Sequence, residues 1–321
     1  MKTSRGFVHL ISVVLRYTKQ IGSKVVKIRI SVVSVVKNLV RDGRRAQFDE
    51  MMASVRNQDY GRVNIEHIII DGASDDGTVD ILRRLQRDGS IDTLISEPDT
   101  GIYSAMNKGI KVVRGDCVLF LNSDDYLDSS GLRKLTDKLE DDRADYVYAN
   151  AVKVDRKGRT VGRHDGDIRE IYFGAPYCHQ ALMCRKNCFR HATFDEDFKV
   201  TMWTFALKLY QAGLTHSHLN EDVAYFRVGG ASTGRHEELL KQEQFRIRSN
   251  YIAPMVDLQM SEYDYLRKVI RSTSNSQKAR VDVDNIALKL LGADTGIKAD
   301  FNRKLLSLLI NPPPKRPRVQ I

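Results

Sequence analysis

The sequence predicts an α/β fold, a mainly parallel central sheet flanked by helices with a helical appendage at the C-terminal end. Three observations carry this. Short apolar runs rich in β-branched residues, at Lys27–Val36, Ile65–Ile70 and Cys117–Leu121, each stop at charged or turn-forming residues, as buried strands do. Segments with helical spacing separate them, and strands that alternate with helices point to parallel pairing. The second and third runs both end in acids and small polar residues, Asp71–Gly77 and Asn122–Asp125. Ligands of open parallel sheets lie beyond the carboxyl ends of the strands, so both clusters fall on one ligand-facing edge.

Residues 1–26 precede the first strand. Within them Phe7–Gln20 mixes apolar residues with Arg16 and Lys19, which suits a short amphipathic helix, either packed on the domain or lying on a membrane surface. Lys27–Val36 is the first strand and ends at Lys37-Asn38. A helix follows over Arg44–Asn57, with Phe48, Met51, Met52 and Val55 on one face. After the strand Ile65–Ile70 comes the turn Asp71–Thr78 and a helix, Val79–Arg87, whose N-terminus Asp76 or Thr78 is suited to cap. Thr93–Ser96 is a brief strand, Glu97–Gly101 a loop, Ala105–Val113 a helix and Cys117–Leu121 the central strand. Farther on the pattern marks a helix at Leu132–Leu139, strands at Tyr146–Tyr148 and Val161–His164, and a closing strand within Asp222–Thr233. Charged helices at Glu237–Tyr251 and Ser261–Arg271 lead to a polar linker, Ser272–Gln277, and to apolar helices at Ile286–Leu291 and Phe301–Ile310. Prolines among basic residues make Asn311–Ile321 an extended tail. The boundaries are therefore an extension over 1–26, the main domain over 27–234, a helical region over 235–310 and the tail over 311–321.

No apolar run approaches the ~20 residues of a spanning helix, and the nearest, Phe7–Leu15, contains His9. No small-residue cleavage site follows it, which argues for a cytoplasmic chain without a signal peptide. The net charge of +10 is uneven: residues 1–60 carry 12 Lys/Arg against 4 Asp/Glu and residues 235–321 carry 16 against 10, leaving an acidic centre. Basic ends suit a peripheral contact with the anionic inner face of the cytoplasmic membrane. Ordinary surface charge accounts for them equally well. No nucleic-acid recognition motif accompanies them, so no nucleic-acid partner is expected. Cys117, Cys178, Cys184 and Cys188 lack the close-paired spacing of a zinc site, although His179 and His191 are near, and read as reduced thiols.

Acids crowded at one sheet edge repel each other unless a cation or hydrogen-bond donors offset them, and a divalent metal carrying a phosphorylated ligand is the natural partner. Four ordered segments sharpen this: Asp71–Thr78, Ser96–Tyr103, Ala105–Gly109 and Phe120–Asp125. Together they closely resemble the family 2 glycosyltransferases, especially those of bacterial capsular, exopolysaccharide and colanic-acid-type synthesis. Ala175–Gln180, Phe194–Val200 and Asp222–Thr233 extend the resemblance, while residues 1–26 lie outside it. The resemblance implies a GT-A nucleotide-diphospho-sugar transferase fold. It implies an inverting hexosyl transfer from a nucleotide-diphosphate sugar to a glycan or lipid-linked acceptor in bacterial surface polysaccharide synthesis. Carried over position by position, it assigns Asn38, Asp71, Asp76, Gly101, Asn107, Lys108, Asn122, Asp124 and His179 to the donor site. Asp124 would hold Mg²⁺ or Mn²⁺, hard cations that take oxygen ligands and share them with substrate phosphates.

Two positions depart from the family pattern. Ser104 stands where an Asp is common. More consequentially, Thr201-Met202-Trp203-Thr204-Phe205 has no carboxylate where the family places its catalytic base. Asp195, Glu196 and Asp197 are the nearest acids and the candidate replacements, with Glu221 and Asp222 more distant. The competing expectation is a catalytically degenerate homologue that binds nucleotide sugar or a partner. A nucleotidyltransferase is disfavoured, because no Gly-rich phosphate loop follows Val36.

Overall fold

The computed structural model describes residues 28–58, 63–229, 237–256, 258–272 and 296–310. The expected helices at Phe7–Gln20 and Ile286–Leu291, most of the linker Ser272–Gln277, Gly230 and the tail Asn311–Ile321 lie outside the described residues. Among those described, no helix is long and apolar enough to cross a membrane.

The sheet is built outward from β1 (Ile28–Val36), which pairs in parallel with β2 (Val63–Asp71) on one side and β4 (Cys117–Phe120) on the other. β3 (Thr93–Ser96) adds in parallel to β2. Side chains on these strands alternate between two apolar layers, as the strand period of two requires. Val33, Ile68, Ile70, Val118 and Phe120 enter one layer, and Val32, Ile69, Cys117 and Leu119 enter the other. Burial on both faces is why Ile68–Ile70 and Cys117–Phe120 read as unbroken apolar runs. On the second face pack α1 (Arg45–Arg56), α2 (Thr78–Arg87) and α4 (Gly131–Asp141); on the first pack α3 (Ile102–Val112) and α5 (Trp203–Gln211).

Past β4 the sheet changes direction. β8 (Leu182–Arg185) runs antiparallel to both β4 and β6 (Tyr146–Val154). β9 (His216–Arg227) is parallel to β6, the two-residue β5 (Tyr126–Leu127) closes the edge against β9, and β7 (Thr160–His164) folds back on β6. The order is β3-β2-β1-β4-β8-β6-β9-β5, so the parallel strands cluster around β1 and the whole sheet is mixed. β8, only Leu-Met-Cys-Arg, is too short for its alternation to be read.

The C-terminal helices are not a loose appendage. α6 (Glu237–Ile247), a π turn (Arg248–Ile252), α7 (Met260–Ser272) and α8 (Ile297–Ile310) place Ile247, Ile252, Tyr263, Phe301, Leu305 and Leu308 in the same apolar layer as Phe120 and Trp203. Asp300 of α8 accepts hydrogen bonds from the hydroxyls of Tyr172, at 3.0 Å, and Tyr210, at 2.7 Å.

Candidate functional site

Register brings the strand tips level: Val36 lies opposite Asp71, and Asp71 opposite Ser96. Beyond them opens a cavity of about 940 Å³. Its near wall comes from the β1 tip and the loop before α1, with Lys37, Arg41, Asp42 and Arg44. Its floor holds Asp99, Gly101 and Tyr103, and its middle Asn122, Asp124 and Asp125. Arg156, His179, Gln180, Lys199 and Arg227 complete its lining.

Asp71 is fully buried and does not line this cavity. Its carboxylate accepts from the Ser74 amide at 2.9 Å, the Ser74 hydroxyl at 2.5 Å and the Ser96 hydroxyl at 2.8 Å. The turn it organises exposes another acid. A Cβ on Gly72 would lie 2.4 Å from Asp99 Oδ2 and 3.3 Å from Lys37 Cδ, so glycine at 72 makes room for the Asp99 carboxylate on the cavity floor. Asp99 is steadied by the Gly101 amide at 3.0 Å. Gly101 has φ 143°, and a Cβ there would press the Lys199 side chain at 3.3 Å, so two constraints favour glycine.

Other residues expected at the donor site are turned to internal partners. Asn38, with φ 51°, donates its amide to Ser74 Oγ at 2.8 Å, and its Oδ1 is buried without a partner. Asp76 accepts from the amides of Arg41 at 2.8 Å and Thr78 at 3.1 Å, stitching the loop after β1 to the start of α2. Burial pushes its pKa up, but these bonds together outweigh it and hold the pKa down to about 2. Asn107 brackets Phe194, donating to its carbonyl at 2.9 Å and accepting from its amide at 3.0 Å. Lys108 reaches Glu97 at 3.1 Å and the Pro98 carbonyl at 2.5 Å rather than the cavity. Gly101, Asn122, Asp124 and His179 do lie on the wall.

The β4 tip is held rung by rung. His179 Nε2 and Asn122 Oδ1 are 3.2 Å apart, and Gln180 Nε2 donates to Asp125 Oδ2 at 2.5 Å. Burial pushes the Asp125 carboxyl up to about 8, and the neighbouring Asp124 charge adds to it. Burial also pushes His179 down to about 4, so the imidazole is neutral at pH 7. Arg227 locks the tip from β9: its amide donates to Asp125 Oδ1 at 2.9 Å, and its guanidinium bonds the Asp124 carbonyl and Glu50 and lies 5.2 Å over the Tyr126 ring.

No acid appears at Thr201–Thr204, but one arrives from α6. Glu243, buried, accepts from the amides of Lys199 at 2.5 Å, Val200 at 3.0 Å and Thr201 at 3.1 Å. It shapes the wall without facing the cavity. Asp195, Glu196 and Asp197 do not line the cavity either. Asp195 accepts from the Tyr251 hydroxyl at 3.2 Å and Glu196 from Asn107 at 2.9 Å. The Asn107 bond is the main cause that lowers the Glu196 pKa, the opposite of what a base near neutral pH needs. Glu221 and Asp222 are paired with Lys134 and Arg163.

The wall residues not expected from the sequence, Lys37, Arg41, Arg44, Asp99, Arg156, Lys199 and Arg227, make it richer in cations than in acids. Asp99, Lys199 and Arg227 sit inside the resembling segments, which was their only signal. Among the described residues no three His, Cys, Asp or Glu side chains cluster as a metal site. The donors present, the Asp124 carboxylate beside Asn122, fit a cation that takes its remaining ligands from a phosphorylated substrate.

Residues 31–197, more than half the chain, match the sequence profile of "Glycosyl transferase family 2". A "PGL/p-HBAD biosynthesis glycosyltransferase" of Mycobacterium bovis is 30% identical over 186 residues, 56% of this chain and 71% of the relative. The Escherichia coli "UDP-Glc:alpha-D-GlcNAc-diphosphoundecaprenol beta-1,3-glucosyltransferase WfaP" is 26% identical over 190 residues, 56% of this chain and 72% of WfaP. Among solved structures, the mannosyltransferase PcManGT of Pyrobaculum calidifontis, in complex with GDP-Man and Mn²⁺, superposes with a TM-score of 0.54 at 16% identity, over 88% of this chain and 86% of that one.

Proposed function

The chain belongs to glycosyl transferase family 2 and carries the GT-A fold, and from that premise we propose that it is a metal-assisted, inverting glycosyltransferase. It moves a sugar from a nucleotide-diphosphate sugar to a glycan or lipid-linked acceptor in surface polysaccharide synthesis. The observation that carries this is Asp124, on the wall of a cation-rich cavity at the tip of the central parallel strand, with no protein donor on its carboxylate among the described residues. The nucleoside lies toward β1 and β2, where Asp99 can accept from a base N–H and Lys37 stands beside it. The diphosphate lies at Asp124, between Arg44, whose guanidinium donates to Ser123 Oγ at 3.2 Å, and Arg227. Cations fixed beside the leaving diphosphate, Arg44 by its pair with Asp42 at 2.9 Å and Arg227 by its pair with Glu50, stabilise the charge that develops on it, usually the largest single catalytic effect. Mg²⁺ or Mn²⁺, held by Asp124, would add Lewis-acid stabilisation of the same oxygens. The basic ends of the chain support a peripheral contact with an anionic membrane.

A second reading is favoured by one observation, the absence of an acid at Thr201–Thr204 where Glu243 engages the backbone. It is a nucleotide-sugar-binding homologue without turnover, since general-base assistance is worth ~10²–10⁴-fold. Calorimetry of UDP with Mn²⁺, followed by transfer and donor-hydrolysis assays, separates the two. Wild type that binds and turns over supports the enzyme, and binding without turnover supports the second reading. Asp124→Ala should weaken UDP binding at least tenfold in Mn²⁺ and change it little in chelator; equal binding in Mn²⁺ would remove the metal assignment.

A further inference from the structure

We propose that the hairpin between β6 and β7 is a phosphate-binding element on the acceptor side of the cavity, with Arg156 and Lys157 as its ligands. This rests on the glycosyltransferase reading above. The turn is built so that its one acid is consumed locally. Asp155 Oδ1 accepts from the amides of Lys157 at 2.8 Å and Arg159 at 3.0 Å, and Oδ2 pairs with the Arg159 guanidinium at 2.7 Å. Backbone bonds from Asp155 to the Arg159 carbonyl, at 2.9 Å, and from Gly158 to the Asp155 carbonyl, at 3.0 Å, close it, with Gly158 at φ 78°. Arg159 is thereby neutralised. Arg156 and Lys157 are exposed and have no acidic partner among the described residues, and Arg156 lines the cavity. Two adjacent cations on a pre-formed turn, with nothing to balance them, make a site for an anion.

Sheet order says on which side that anion sits. β6 lies beyond β8 from β4, opposite the β1 and β2 tips where Lys37 and Asp99 receive the nucleoside. The Val228 amide donates to the Val154 carbonyl at 2.8 Å, fixing the hairpin root to the end of β9 beside Arg227. Across Asp124 from the nucleotide is the place of the acceptor. The shared chemistry is a phosphate, which an arginine fork matches well. It is carried either by the acceptor itself, as a lipid diphosphate, or by an anionic lipid headgroup next to it.

The test uses the full chain as wild type, as Arg156→Ala with Lys157→Ala, and as the charge-keeping Arg156→Lys with Lys157→Arg. UDP affinity in Mg²⁺ is measured first. Farnesyl diphosphate is then titrated into chain saturated with UDP and Mg²⁺. Separately, the chain is co-sedimented with vesicles of phosphatidylglycerol and phosphatidylcholine. The alanine pair should weaken one or both of these probes about tenfold and UDP, bound in the same cavity, by clearly less, and the charge-keeping pair should retain most of the probe binding. Loss confined to farnesyl diphosphate assigns the acceptor's own phosphate, and loss confined to vesicles assigns the headgroup. A fall in UDP affinity matching that of the probes would place these cations in the donor site and overturn the proposal. So would unchanged binding of both probes, or wild type that binds neither. Wild type that binds neither UDP nor GDP in Mg²⁺ defeats the nucleotide-sugar reading instead, a result distinct from all of these.

Discussion

Replacing Glu243 by alanine tests how the cavity wall is held. In the folded protein its carboxylate accepts three backbone amides, those of Lys199, Val200 and Thr201, and the latter two are buried. Lys199 is exposed, so its amide recovers water when the carboxylate goes. The other two do not, and a stranded buried donor costs about 1–3 kcal/mol, which puts the loss at about 2–6 kcal/mol. That is a large part of the ~5–15 kcal/mol by which a typical domain is stable. Glutamine is no remedy, because its amide nitrogen would face at least one of the N–H groups and two donors would meet. Urea unfolding followed by circular dichroism should show a lower midpoint at unchanged slope for Glu243→Ala, with Glu243→Gln between it and wild type. Lys199 and Val200 line the cavity, so UDP affinity should fall in parallel. A loss below about 1 kcal/mol would mean that water already satisfies these amides. The wall would then be open at this point, and the account of Glu243 as its brace would be wrong.

Two further outcomes follow from the same geometry. Lys108→Met should cost no more than about 1 kcal/mol of stability, as an ion pair with an exposed glutamate does. It should also change UDP and UMP affinity by the same factor, because Lys108 holds Glu97 and Pro98 rather than the terminal phosphate; a selective loss for UDP would return it to the phosphate site. His67 is buried and burial lowers its pKa to about 4 from 6.5, so its folded form resists protonation. Stability from this group is complete above pH 6.5 and is lost as pH falls toward 4, by up to roughly 3 kcal/mol. Chemical unfolding from pH 7 to pH 4 should therefore show a shallower slope for His67→Gln than for wild type, and parallel slopes would contradict the assignment.

Most of the fold was legible because burial writes itself into spacing. β1, β2 and β4 alternate between two apolar layers, and every expected strand and helix among the described residues forms within a few residues of its bounds or longer. β8 and β5 were not readable, since four and two residues cannot show a period and their place depends on partners elsewhere in the chain. The C-terminal helices were legible as helices but not as core, because amphipathic spacing does not say which surface a helix covers.

The site divides along the same line. Sequence alone determined that acids and small residues end the strands, that Asn122–Asp125 tips the central strand, and that Thr201–Thr204 lacks a carboxylate. These are local properties, carried by residues a few positions apart. Only the tertiary structure decided which polar groups face the cavity. Asp71, Asn107 and Lys108 have the chemistry of ligand contacts, yet Ser74 and Ser96, Phe194, and Glu97 and Pro98 engage them first. Arg227 and Asp125 are 102 positions apart, and Glu243 lies 42 from Thr201. A polar side chain must find a partner when it is buried, but its identity does not say which one, and that choice is made by segments that meet only when the chain folds.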